Sequence, residues 1–421
     1  MVKVLLQKIL RFGVYLIVFK YKPKIIGITG SVGKTSTKEA IAVVLESEFR
    51  VRKSCENNDN KIGLLFTVIG IESLEKNILF WLKVFWKIGE LLIIKDRKYP
   101  EILVLEMATE KEGDLEFFTE IIKCDIGIIT AISHVNLNSF KTVEAVQKEK
   151  SVLIENLKKG AWAILNYDDS NIEKISYKSK EKIFSYGSKK GNSLELREVK
   201  FNFSALDADS FLGVNFKIFY EGSLIPVSLP NNTGYNAVYA SLAAIATGLC
   251  MDMNLIEVAQ NLKKFHSLPG RMNLIKGIKD SIILDDTYNS LPRSNIRALN
   301  FLENIKSEGR KKIVVLADMS ELGTNSDKFH QEIGEHLVGK VDILFAFGEK
   351  SKFIIAGAIK NGMNKDNLFH FTNFQSCLQC LREKINKGDV VLVKGSRSMK
   401  MEKLVKEIMK FPDVEKDFLV S

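Results

Sequence analysis

The stretch that most constrains this chain is Ile25-Ile26-Gly27-Ile28-Thr29-Gly30-Ser31-Val32-Gly33-Lys34-Thr35-Ser36. A short β-rich run, Ile25–Ile28, passes into a glycine loop and then into a helical pattern from about Thr35 to Ser47. A strand entering a loop that opens a helix is the first unit of an α/β domain. The loop has a chemistry of its own. Glycines let backbone N–H groups approach anionic oxygens, and a helix N-terminus adds a favourable dipole. Lys34 is in frame to neutralise the β/γ-phosphates of ATP, and the Thr35 hydroxyl to ligate Mg²⁺. A general phosphate loop carries glycine five positions before Gly33, where this chain has Ile28. The loop is therefore the shorter G-x-x-G-K-[ST] form.

A chain of 421 residues is too long for one ordinary core, so two or three domains are expected. Hydrophobic content of 46% beside 27% charge excludes a disordered chain. Buried runs at Ile102–Leu105, Ile126–Thr130 and Ala161–Leu165, separated by helical or loop sequence, argue for a mostly parallel sheet. From about Phe184 to Ser228 alternating segments with Gly and Ser turns read as an antiparallel annex. A small-residue helix follows, Tyr235 to Gly248, and Leu268-Pro269-Gly270 marks a domain junction. Beyond it, Ile282–Leu284, Ile313–Leu316, Ile343–Phe347 and Val390–Val393 read as strands of a second α/β domain. The expected division is 1–23 as a leading helix, 24–266 as a central phosphate-loop domain and 267–421 as a Rossmann-like C-terminal domain.

The leading segment Val2–Phe19 is apolar but carries Lys3, Lys8 and Arg11, and its longest apolar run, Val14–Phe19, is too short to span a bilayer. Two readings stay open: a basic amphipathic helix on the cytoplasmic membrane face, or a helix packed on the body. Ile78–Lys95 is a second apolar stretch with basic residues. It reads first as a core helix, and could join the same surface. Five scattered cysteines favour a reducing cytoplasm over a disulfide framework, and Cys377 and Cys380 read as helix positions rather than a metal site. The net charge of +10 would help attract a polyanionic substrate. No basic stripe interleaved with aromatics supports a nucleic-acid partner.

Five later motifs join the loop. Leu105-Glu106-Met107 ends a buried strand, where an acid beside a phosphate loop suits a metal. Thr130-Ala131-Ile132-Ser133-His134-Val135-Asn136-Leu137 leads to Glu149-Lys150-Ser151. Gly234–Gly248 is the small-residue helix. Leu268-Pro269-Gly270-Arg271-Met272 precedes Leu284-Asp285-Asp286-Thr287-Tyr288-Asn289-Ser290-Leu291-Pro292. Val315-Leu316-Ala317-Asp318-Met319-Ser320-Glu321-Leu322-Gly323, with His330, precedes Val391-Leu392-Val393-Lys394-Gly395-Ser396-Arg397-Ser398-Met399.

From Lys24 onward this set resembles the Mur ligases, which couple ATP hydrolysis to joining an acid and an amine. It is most similar to the branch that adds D-alanyl-D-alanine to a UDP-N-acetylmuramoyl-tripeptide in cell-wall synthesis. The resemblance implies ATP held by Thr29 to Ser36, with Lys34, Lys150 and Arg271 catalytic. Arg271 would reach the γ-phosphate, Asp286 or Asp285 the ribose, and Asn236 the base, because Ala237 and Ala240 stand where the family has its adenine-reading Asn. Mg²⁺ would be held by Thr35, Glu106 and either His134 or Asn136, and Lys150 would be carbamylated. Asn58, Asn60, Tyr288, Asn289, Lys394 and Arg397 would face the UDP-linked tripeptide and the dipeptide. The family's N-terminal UDP-binding domain needs about 80–100 residues, and only about 20 precede the loop here, so that domain is expected to be lacking. The chain is expected to act as a monomer. Alternatives are a ligase of the same type using a folate or an amino-acid polymer, or a nucleotide-binding protein that has lost ligation.

Overall fold

The computed structural model describes residues 2–55, 61–71, 78–133, 137–203, 211–305, 309–413 and 419–420. Asn58, Asn60, His134 and Asn136 lie outside the described residues. The fold is α/β, built on two sheets. The first contains β1 (Lys24–Thr29), β2 (Val51–Lys53), β3 (Ile102–Glu106), β4 (Ile126–Ile129), β5 (Trp162–Asn166), β6 (Lys182–Gly187), β7 (Leu194–Phe203), β8 (Phe211–Tyr220) and β9 (Ser223–Leu229). Their order is β2-β3-β1-β4-β5-β6-β7-β8-β9. Strands β2 to β6 pair in parallel around β1, and their near-continuous apolar runs follow from burial on both faces.

The antiparallel annex expected over 184–228 extends this sheet at one edge. Strand β6 joins β7 in parallel through Tyr186↔Leu194, and only β7, β8 and β9 run antiparallel. The second sheet has β10 (Asn273–Lys276), β11 (Ile282–Asp286), β12 (Lys312–Ala317), β13 (Ile343–Phe347), β14 (Leu368–Phe371) and β15 (Val390–Lys394). Its order is β10-β11-β15-β12-β13-β14, parallel except for the edge strand β10.

Register brings distant residues level. Ile28 of β1 faces Glu106 of β3, and Thr29 faces Ile129 of β4, so Thr29, Glu106 and Thr130 share one end of the sheet. In the second sheet Asp286 ends β11 opposite Lys394 at the end of β15. The carboxyl ends of parallel strands are where α/β sheets place ligands. The two sheets' lobes meet there, with the Phe201 ring edge-on to Phe301 at 4.7 Å.

The helix Gly234–Cys250 packs against α2 (Lys34–Leu45), and Ala237, Ala240, Ala243 and Ala244 are buried in one cluster with Ala40, Ile41 and Val44. Small side chains let the two backbones approach, which accounts for alanine at these positions.

Helix α1 (Val2–Tyr21) lies on the opposite face of the first sheet. Leu10, Val14 and Ile17, spaced to share one side of a helix, are fully buried there. With α3 (Lys61–Ile69) packed against both of them and against β3, α1 and α4 (Ile78–Ile93) pack together and share that core. Phe80, Val84, Ile88 and Leu91 point inward from α4. The expectation of a core helix holds for that face alone, since Leu79, Leu82 and Trp86 on the other side are exposed. Because α1 is packed through three fully buried side chains, Ile17→Ala should cost about 2–5 kcal/mol of stability. Denaturant unfolding of the whole chain measures this, and an unchanged midpoint would show that α1 is not docked.

Candidate functional site

The phosphate loop is held open by its neighbours. Gly30 has φ 149° and Gly33 φ 85°, and Gly33 precedes the first turn of α2. A side chain at Gly30 would place Cβ 2.1 Å from Thr130 Oγ1. Ser31 N donates to Ala131 O at 2.8 Å, Thr130 Oγ1 donates to Val32 O at 2.6 Å, and Ser133 N donates to Ser31 Oγ at 3.0 Å. Lys34 Nζ folds back to Gly30 O at 3.0 Å. The backbone that would cradle phosphates is thereby braced from the segment that follows β4, which sequence patterning does not connect to it.

Thr35 is the junction of the site. Its hydroxyl donates to Glu106 Oε1 at 3.0 Å and accepts from Arg271 NH2 at 3.1 Å. A hydroxyl and a carboxylate converging from a helix start and a strand end are hard oxygen donors, so these residues fit a Mg²⁺ ion. Glu106 is 5% exposed, and its second oxygen lies 3.5 Å from Lys38 Nζ. Lys38 is almost fully buried and also donates to Ser54 O at 2.8 Å. Lys38 is absent from the expectations above. The signal was its place one helical turn after Lys34, on the face that turns toward β3.

Lys150 is fully buried on the helix Val143–Glu155. Its ammonium donates to Thr29 Oγ1 at 3.2 Å and to Thr109 Oγ1 at 2.5 Å. Burial, reinforced by the positive charge of Lys34, pulls its pKa down to about 7. Glu149, one residue before it, accepts from Gly113 N at 2.8 Å and Leu115 N at 2.7 Å and so holds the start of an earlier helix, Asp114–Ile121.

The second lobe supplies the opposite wall. Gly270, at φ 67°, accepts from Tyr288 N at 3.0 Å, and the Arg271 guanidinium stacks over the Tyr288 ring 4.0 Å from its centroid. Arg271 Nε is buried without a partner. Asp285 and Asp286 divide sharply. Asp285 turns into the protein, where Oδ1 accepts from the Thr287 hydroxyl at 2.6 Å and burial pushes its pKa up to about 7. Asp286 lines the cleft. Lys394, expected to meet the substrate, is only 1% exposed. It pairs with Asp286 at 2.6 Å and donates to Asn289 O at 2.8 Å, so its charge is already met within the nucleotide wall. The cause is the level register of β11 and β15. His330 is also internal. Nε2 accepts from Met319 N at 2.9 Å, so Nδ1 carries the proton to Ser326 O at 2.8 Å, and burial lowers its pKa.

Two cavities result. One, of about 220 Å³, runs between the lobes along Ser31, Val32, Gly33, Lys34, Thr35 and Ser36, and also touches Asn236, Arg271 and Asp286. The other, of about 440 Å³, is lined by Gly30, Thr109, Lys150 and, from the second lobe, Ser396 and Arg397. Ser31, Lys34, Tyr288 and Asn289 line both, so the cavities meet at the end of the loop. A clasp missed in the sequence closes the lobes beside them. Arg293 NH1 pairs with the buried Asp169 at 2.6 Å, while Asp169 also accepts from Ile132 N at 2.9 Å.

Gly30→Ala should weaken binding of a fluorescent ATP analogue at least about tenfold while leaving circular dichroism unchanged, given the clash and the left-handed backbone. Unaltered affinity would remove the loop from the nucleotide site.

Comparison with known proteins gives the same assignment along most of the chain. Residues 28–248 match the Mur ligase middle domain and 270–397 the Mur ligase glutamate ligase domain. A UDP-N-acetylmuramoyl-tripeptide–D-alanyl-D-alanine ligase of Bacillus subtilis is 30% identical over 92% of this chain and 76% of its own length. In structure, MurF ligase from Thermotoga maritima in complex with ADP superposes with a TM-score of 0.77 at 23% identity, over 98% of this chain and 84% of that one. MurF from Acinetobacter baumannii also gives 0.77 at 23% identity, over 94% and 79%. The chain belongs to the Mur ligase family, and is an ATP-dependent, ADP-forming ligase of that type.

Proposed function

We propose that this ligase joins the free amine of D-alanyl-D-alanine to the terminal carboxylate of a UDP-N-acetylmuramoyl-tripeptide, the reaction for which its relatives are named. The observation that carries this reading is Arg271 of one lobe on Thr35 of the other, in the smaller cavity that opens into the larger one past Lys34 and Tyr288. The proposed division is 1–23 as leading helix, 24–266 as ATP-binding domain and 267–421 as C-terminal domain, acting on the cytoplasmic side as a monomer.

ATP would lie in the smaller cavity with its phosphates on residues 29–36, Asp286 toward the ribose and Asn236 toward the base. Tyr288, Asn289 and Arg397 line the larger cavity, which would take the acid and the amine. The acid's carboxylate oxygen attacks the γ-phosphorus, the bond to the β-phosphate oxygen breaks, and ADP leaves an acyl phosphate. The dipeptide amine then adds to the acyl carbon, and the tetrahedral intermediate expels phosphate and loses a proton to give the amide. Lys34 and Arg271 offset the charge on the phosphoryl oxygens in transfer, the largest expected contribution of side chains here. Mg²⁺, held by Thr35 and Glu106, would add to that neutralisation. Closure of the lobes by Arg293 and Asp169 excludes water that would otherwise hydrolyse the acyl phosphate.

Lys150 supports carbamylation. With its pKa near 7 a large share of the amine is neutral at physiological pH, and a neutral amine adds CO₂ to give a carbamate and a proton. The product is a carboxylate-like oxygen donor beside Thr29, suited to a hard cation.

Three outcomes are expected. Phosphate release from ATP should require both the UDP-linked tripeptide and D-alanyl-D-alanine; no release with that pair rejects the substrate assignment and turns attention to a folate or amino-acid-polymer acid. Arg271→Ala should lower kcat about a thousandfold with little change in ATP affinity, and a change confined to KM would contradict its role in the transfer. Activity should depend on bicarbonate more steeply as pH falls below 7, because protonation removes the nucleophilic amine of Lys150. A bicarbonate-independent profile, with Lys150→Ala still active, would end the carbamate proposal.

A further inference from the structure

We propose that the outer faces of α1 and α4 form one surface that seats this enzyme on an anionic phospholipid bilayer. Both helices bury their inner sides in one core on the same face of the first sheet, and they run side by side. Ile88 packs against Gly13, while Lys20 Nζ donates to the carbonyls of Leu91 and Leu92 at 2.9 and 3.0 Å. Their outer sides therefore point away from the body together.

What those sides carry is unusual for a surface. Of the fifteen large hydrophobic side chains exposed among the described residues, nine belong to these two segments, so exposed apolar area is concentrated here rather than scattered. Phe12 is 64% exposed, Phe19 67%, Trp86 79% and Ile93 84%. In α1 the exposed residues Ile9, Phe12, Tyr15 and Phe19 recur at helical spacing and form a second apolar stripe opposite Leu10, Val14 and Ile17.

Charge identifies the occupant. Residues 2–24 and 78–98 hold eleven of the 61 basic residues but two of the 51 acidic ones, so nine of the ten net positive charges of the chain fall in these segments. Lys8, Lys83, Lys95, Arg97 and Lys98 are exposed among or just beyond the apolar side chains. Aromatic and aliphatic groups ringed by lysine and arginine suit the interface of an anionic membrane, which attracts each basic residue near its surface. A second copy of the chain would bring two like-charged faces together and is disfavoured. No helix among the described residues is long and apolar enough to cross a membrane, which leaves contact in the plane of the interface. This inference does not depend on which acid the ligase uses.

The test is flotation of the full chain with phosphatidylcholine vesicles, with or without phosphatidylglycerol, at low and high salt. The wild type should float with the phosphatidylglycerol vesicles, remain behind with pure phosphatidylcholine, and be released by salt. The F12S/W86S double variant should bind at least about tenfold more weakly while retaining its affinity for a fluorescent ATP analogue in solution, because neither residue lines the cavities; that retained affinity reports an intact fold. Absence of flotation, or equal flotation of wild type and variant, overturns the proposal. So does a dimer in sedimentation velocity that the same two substitutions dissociate, which would make a second copy the occupant.

Discussion

A single hydroxyl holds the site together. Thr35 Oγ1 donates a hydrogen bond to Glu106 and accepts one from Arg271, so three segments far apart in sequence converge on one oxygen. The helix start that carries Thr35 follows the phosphate loop, the strand end that carries Glu106 is set by its register with β1, and Arg271 arrives from the other lobe. An ion seated between Thr35 and Glu106 and a phosphoryl group facing Arg271 would lie side by side there. Fold and chemistry are thus coupled there.

Around this point the protein buries charge at positions where an apolar core would be more stable. Lys38, Lys150, Lys394, Glu106, Asp285 and Asp286 are all almost fully buried. Removing a charge from water is costly unless partners offset it, and Lys38 and Lys394 have carboxylate partners in Glu106 and Asp286. Lys150 faces two hydroxyls, and burial together with the charge of Lys34 lowers its pKa. Strongly perturbed groups in a cleft mark function more often than structure. Asp285 is the exception. Its raised pKa accompanies a hydrogen bond to Thr287 that shapes the 285–288 turn, one step behind the cleft wall.

What could be read in the sequence was what is local. The β1–loop–α2 unit is contiguous, and the spacing of Gly30, Gly33, Lys34 and Thr35 carries its own physical logic. Most parallel strands announced themselves as short apolar runs, because both their faces are covered. The half-exposed edge strands β10 and β14 did not. Pairings across long separations were illegible. Lys394 reads as a cation facing the substrates until the β11–β15 register sets it beside Asp286. The Arg293–Asp169 clasp, which spans 124 positions, leaves no pattern in either segment. For α4 the difficulty was different. A helix apolar on nearly every side does not reveal which side lacks a protein partner, and only packing against α1 and α3 settles it.

The account rests on two lobes closing over one triphosphate. The most direct measurement is a crystal structure of the full chain with Mg²⁺ and a non-hydrolysable ATP analogue. It should show the phosphates on the backbone of residues 30–35, the ion on Thr35 and Glu106, and the Arg271 guanidinium transferred from the Thr35 hydroxyl to the γ-phosphate oxygens. A nucleotide bound elsewhere, or a γ-phosphate out of hydrogen-bonding reach of Arg271 with the lobes closed, would contradict it.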